Sequence, residues 1–135
     1  MSAPGMDRSN LRTPLKDVTG LGSAKSGTHH FIVQRVTGVA LVLLTIWIVG
    51  FVLALVHAGD YAHAREMLRH PFAAAWLIAF VVIGFWHAQL GLQVVIEDYV
   101  HARWLEIASQ LAVKFVCAGA ALAGVIAIVR VYIGQ

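Results

Sequence analysis

The sequence predicts an all-α membrane protein: three transmembrane helices, with the N-terminus inside and the C-terminus outside. Three observations carry that prediction. The 135 residues are 59% hydrophobic and 13% charged, with a mean hydropathy of +0.76. That is too apolar for a domain that must cover its surface with polar groups in water. Charged residues are also missing in blocks. None lies between Arg35 and Asp60 or between Arg69 and Glu97, and only Lys114 lies between Glu106 and Arg130. A helix rises about 1.5 Å per residue, so roughly 20 apolar residues cross a hydrocarbon core about 30 Å thick, and each block is long enough. Finally, basic residues near the span ends are unevenly shared. Arg8, Arg12, Lys16, Lys25, Arg35 and Arg103 fall on one side, against Arg65, Arg69 and Arg130 on the other. This asymmetry sets the orientation.

Taken in order, residues 1–30 form a polar tail rich in Gly and Ser. They lack the apolar stretch and small-residue cleavage site of a signal peptide, so the tail is expected to stay with the mature chain. Residues 31–135 form the membrane domain, with spans near 36–56, 72–96 and 107–129. The first loop, 57–71, holds Asp60, Glu66, two Arg and three His. Its Asp60 is placed to cap one or two turns of helix lying in the interface. The second loop, 97–104, is short enough to make spans 2 and 3 antiparallel neighbours. Trp76, Tyr99, Trp104 and Tyr132 sit near span ends, where amphipathic rings favour the headgroup layer.

Several chemistries are excluded from this chain. Cys117 is the single cysteine, so no disulfide can form within the chain and no thiolate cluster exists for an iron-sulfur centre. It reads as a buried, reduced, small hydrophobe. There is no GxGxxG turn for a dinucleotide. Substrate oxidation must therefore belong to other chains. Span 3 is rich in small residues, among them Ala118, Gly119, Ala120, Ala121, Ala123 and Gly124, which suits close helix packing. Lys114 lies shallow enough in it to snorkel to the headgroups, with a lipid phosphate contact as the alternative.

Span 2 is where chemistry is expected. His87 sits in its middle, and an imidazole at that depth is a ligand, a proton relay or a buried hydrogen-bonded partner. Gly84 at i−3 and Gly91 at i+4 lie on the same helix face and leave a shallow groove beside the ring. A flat macrocycle or a closely packed helix would both fit such a groove. A low-spin b-type haem needs a second axial side chain. The other histidines, His29, His30, His57, His63, His70 and His101, fall at span ends or in loops, so that ligand would come from a partner subunit or a second copy. Eleven residues beyond His87, span 2 ends in Asp98-Tyr99. Asp98 falls on nearly the same face, about 16 Å further along the axis. A phenol beside a carboxylate at the membrane edge can hydrogen-bond a quinone carbonyl and supply a proton; the plain alternative is a span boundary with an aromatic anchor.

The run from His87 to Val100, HAQLGLQVVIEDYV, resembles the span-2 signature of the hydrophobic membrane-anchor subunits of succinate dehydrogenase, respiratory complex II, in their smaller, D-type form. That pattern is a mid-span His followed, through a Gly four residues on, by Asp-Tyr-Val. The run from Gly27 to Arg35, GTHHFIVQR, is similar to the segment leading into that family's first span. The resemblance covers nearly everything beyond the first 20 or so residues. It implies packing against a second membrane anchor subunit, with a flavoprotein subunit and an iron-sulfur subunit as further partners, in a bacterial inner membrane. It implies that His87 is the axial ligand of a haem b shared with the partner anchor. Tyr99 would hydrogen-bond ubiquinone with Asp98 beside it, while Arg35 and His29 would lie near the haem propionates. The haem would serve as an electron reservoir or as a structural staple. His30 departs from the pattern, since members of the family can carry an acid there. Membrane lipids are the remaining partners expected, and nucleic acid is not. The competing readings are an anchor without cofactor and a small transporter or proton-conducting protein using His87 and Asp98 as relay groups.

Overall fold

The computed structural model describes residues 26–134, with side chains from Thr28 onward. Four helices follow one another: α1 (Ser26–His57), α2 (Tyr61–Leu68), α3 (Pro71–Tyr99) and α4 (Arg103–Ile133). Three of them, α1, α3 and α4, are long and apolar enough to cross a membrane, one over each stretch read as a span. Each runs past its predicted hydrocarbon segment, because helical hydrogen bonding continues into the headgroup region where sequence polarity rises. α1 therefore begins at Ser26, inside the stretch read as a polar tail, and α3 runs through Glu97, Asp98 and Tyr99. The second connection shrinks to residues 100–102, shorter than the 97–104 loop read from polarity. Arg8, Arg12, Lys16 and Lys25, on which most of the orientation argument rested, lie outside the described residues.

Local chemistry sets the helix ends. α1 stops at Gly59, whose φ of 79° is a left-handed conformation that glycine adopts without a Cβ penalty. Asp60 then caps α2 as expected, its Oδ1 accepting from the His63 amide at 2.6 Å. Pro71 opens α3 in the first turn, where a missing N–H costs nothing, and His70 Nδ1 accepts from the Phe72 amide at 3.3 Å. α4 ends on Gly134, whose φ of 84° lets its N–H reach the carbonyls of Arg130 at 3.1 Å and Val131 at 3.2 Å. Arg65 of α2 donates to the Gly134 carbonyl at 3.3 Å, and the Arg69 guanidinium lies against the same glycine. Two cations thus meet the negative end of the α4 dipole.

α3 is the central element, with α1 and α4 packed on different faces of it. A Cβ on Gly124 of α4 would stand 2.8 Å from Val81 Cγ1, so these two backbones approach as the small residues of span 3 foretold. Cys117 is buried as a free thiol in the same seam. Toward the other face, Trp47 of α1 meets Phe72 and Trp76 of α3. Trp47 stacks on Phe51 at 4.9 Å and on Trp76 at 5.5 Å. Trp76, read as an interface anchor, is thereby also part of an aromatic clasp between helices. Tyr99 and Trp104 project freely, at 78% and 74% exposure, as anchors do. Large apolar side chains such as Val39, Leu43, Ile46, Phe115 and Leu122 face outward. In water that surface would be untenable; against lipid or a partner helix it is ordinary.

Candidate functional site

His87 is half-buried at the contact between α3 and α1. Its Nδ1 lies 2.9 Å from Oγ1 of Thr37, a residue only 7% exposed. The neighbouring residue of α1 is Gly38, and a Cβ there would stand 3.3 Å from His87 Cε1 and 4.0 Å from Nδ1. The Nδ1–Cε1 edge of the imidazole therefore faces α1 at a glycine, where a side chain would crowd it. Nε2, on the other side of Cε1, has no hydrogen-bond partner among the described residues.

The two glycines flanking His87 also face α1. A Cβ on Gly84 would meet Leu41 Cδ2 at 3.9 Å, and one on Gly91 would meet Gln34 Nε2 at 3.6 Å. Of the two uses read for that groove, the structure places the close helix along it at both glycines. Arg35 and His29 are not brought to the imidazole by any hydrogen bond among the described residues. Arg35 is exposed, its guanidinium carbon 4.7 Å from the centroid of the Phe31 ring, a cation-π contact. His29 and His30 line a groove of about 410 Å³ with Trp86, Gln93 and Glu97. Two polar atoms nearby, His30 Nε2 and Gln34 Oε1, are buried with no hydrogen-bond partner.

Asp98 and Tyr99 end α3 three turns from His87, both exposed. Beside them a polar seam joins α3 to α4. Gln93 donates to Glu97 Oε1 at 2.8 Å, and Gln110 Nε2 lies 3.4 Å from both Glu97 Oε1 and Glu106 Oε1. Lys114 is exposed, compatible with either reading of it. Sequence reasoning passed over Thr37, Gly38 and this seam. A hydroxyl inside an apolar span, two residues after Arg35 and next to a glycine, was the available signal for the first two.

Among the described residues no group of three or more His, Cys, Asp and Glu side chains could hold a metal ion. The donor set that exists is a single imidazole with one nitrogen held and the other unpartnered. That would suit an iron held chiefly by a macrocycle, with His87 the residue of this chain that would hold it. The remaining described histidines sit at helix ends, with His57 Nδ1 on its own Leu53 carbonyl at 2.7 Å and His70 capping α3.

Comparison with known proteins gives a consistent answer. Residues 9–126 match the family described as "Succinate dehydrogenase/Fumarate reductase transmembrane subunit". The chain is 38% identical to the succinate dehydrogenase hydrophobic membrane anchor subunit of Rickettsia conorii over 107 residues, 79% of this chain and 85% of that one. It is 35% identical to the protein of the same name from Paracoccus denitrificans, over 64% of this chain and 67% of that one. Against the succinate dehydrogenase membrane anchor subunit of Reclinomonas americana the identity is 27%, over 68% and 78% respectively. No solved structure matches. With three apolar helices, the His87 and Asp98-Tyr99 spacing, and a family match over most of its length, the chain belongs to the succinate dehydrogenase/fumarate reductase transmembrane subunits, as a membrane anchor.

Proposed function

We propose that this anchor binds one face of a haem b shared with a second membrane anchor subunit, and forms part of the site where ubiquinone is reduced. The observation that carries the reading is His87: Nδ1 is held by Thr37 while Nε2 has no partner among the described residues. When bound, the haem would supply one-electron storage and a brace between the two anchors. Arg35, always charged, lies one turn below Gly38 on α1 and is free to reach a propionate if the Phe31 contact opens.

At the end of α3, Tyr99 is placed to donate its phenol proton in a hydrogen bond to a quinone carbonyl, with Asp98 as the neighbouring acid. Reduction of the quinone to quinol consumes two electrons and two protons. On this reading the electrons come from the iron-sulfur and flavoprotein subunits, and the protons enter at the exposed Asp98 end, on the inner face of a bacterial cytoplasmic membrane. The chain carries no redox group of its own in this scheme; it positions one and holds the acceptor.

The test is a reduced-minus-oxidised spectrum of the purified complex. The parent is expected to show b-type bands and His87→Ala to lose them while the subunits still co-purify. Bands that survive the substitution remove His87 as ligand. A parent complex with no b-type bands supports instead an anchor without cofactor.

A further inference from the structure

We infer that Thr37 is a positioning residue that selects the Nδ1-protonated tautomer of His87, leaving the Nε2 lone pair free for a metal. This rests on the haem reading above for its purpose, but not for its geometry. The Thr37 hydroxyl lies 2.8 Å from the Val33 carbonyl and 3.1 Å from the Gln34 carbonyl, one turn back on α1. Carbonyl oxygens only accept, and a hydroxyl has one proton to give. Threonine in a helix commonly places that proton on the i−4 or i−3 carbonyl. With the proton so placed, what Thr37 Oγ1 can offer His87 at 2.9 Å is a lone pair. Nδ1 must then carry the hydrogen and donate it.

In a neutral imidazole one nitrogen carries the hydrogen and the other accepts, so a protonated Nδ1 leaves Nε2 bare. The site also keeps the ring from turning. A half-turn of the ring would exchange Nδ1 with Cδ2 and Cε1 with Nε2, carrying Nδ1 off the hydroxyl, and at Gly38 even a Cβ would stand only 3.3 Å from Cε1. A hydrogen bond from the far nitrogen raises the basicity of a metal-bound imidazole and fixes its orientation. Here that role falls to the Thr37 hydroxyl, in a helix long and apolar enough to cross a membrane.

Two readouts test this, one of them independent of haem. Nitrogen NMR of the full chain labelled with [15N]histidine in lipid nanodiscs, with the His87 signals assigned by their absence in His87→Ala, reports the tautomer directly. The parent is expected to show Nδ1 protonated and Nε2 bare; Thr37→Val is expected to lose that selection and Thr37→Ser to restore it. In the purified complex, Thr37→Val should retain haem about 10- to 100-fold less tightly than parent, with Thr37→Ser close to parent. A parent ring protonated at Nε2, or a Thr37→Val variant with unchanged tautomer and haem retention, overturns the inference. The expected tautomer in a complex without haem upholds the Thr37 assignment and overturns the haem reading instead.

Discussion

Gly38 is where the size of one side chain decides whether the imidazole keeps its seat. In Gly38→Ala the new methyl stands 3.3 Å from His87 Cε1. With an optimum near 3.8 Å and a well of about 0.15 kcal/mol, that approach costs only a few tenths of a kcal/mol. Removing a glycine from a helix interior returns about 0.5–1 kcal/mol. The balance is neutral to slightly stabilising, and a ring that yields by a few tenths of an ångström keeps its 2.9 Å bond to Thr37 within hydrogen-bonding range. Gly38→Val differs in kind. Its two γ carbons reach about 1.5 Å further and the helix holds them in one rotamer. To clear them the ring must retreat by about 1 Å, which stretches the bond to Thr37 to about 3.9 Å and breaks it. Haem content per complex and the thermal midpoint of the complex are the measurements. Gly38→Ala should match the parent in both. Gly38→Val should still assemble but lose haem affinity by about 10- to 100-fold. A Gly38→Val complex with parental haem content would refute the seating of the ring against α1.

Two further substitutions probe other contacts. Gly124→Ala places a methyl 2.8 Å from the stiff, β-branched Val81, so α3 and α4 must separate. A cost of about 1–3 kcal/mol is expected, read as a lower thermal midpoint in detergent; a parental midpoint would mean that the helices do not touch there. Tyr99→Phe should raise the KM for ubiquinone or lower turnover with haem unchanged, and parental kinetics would leave Tyr99 as a simple interface anchor.

What could be read from the sequence followed from strong one-dimensional signals. Charge-free blocks mark spans because each buried charge is expensive in hydrocarbon, so three helices were legible, as was Asp60 as a cap. His87 stood out for the same reason. Helix lengths were not legible: Glu97, Asp98 and Ser26 to His30 are polar yet helical, since polarity reports where the hydrocarbon ends and not where backbone hydrogen bonding does. The partners of His87 were also out of reach. Thr37 lies fifty residues away, and only the rotation of α1 about its own axis brings its hydroxyl, and not Gln34 or Leu41, to the imidazole. That rotation is set by Gly38, Gly84 and Gly91 together and by the Trp47, Phe72 and Trp76 clasp, a tertiary outcome with no periodic signature.

The energetics of the half-satisfied imidazole give the sharpest division between a cofactor ligand and a buried structural histidine. Thr37 satisfies one ring nitrogen; the other has no partner among the described residues, and a polar nitrogen left unpaired in hydrocarbon costs about 1–3 kcal/mol. Replacing His87 by Leu removes that unpaired nitrogen and strands no donor, because the Thr37 proton is already placed on α1. In complexes made by a host that cannot synthesise haem, His87→Leu should therefore unfold at the same temperature as the parent or slightly above it. In haem-replete complexes the sign should reverse, since the parent gains the ligand's binding energy by mass action and the variant cannot. If His87→Leu is destabilised to the same extent in both hosts, the imidazole is a structural hydrogen-bonding group, and Nε2 is satisfied by something other than iron.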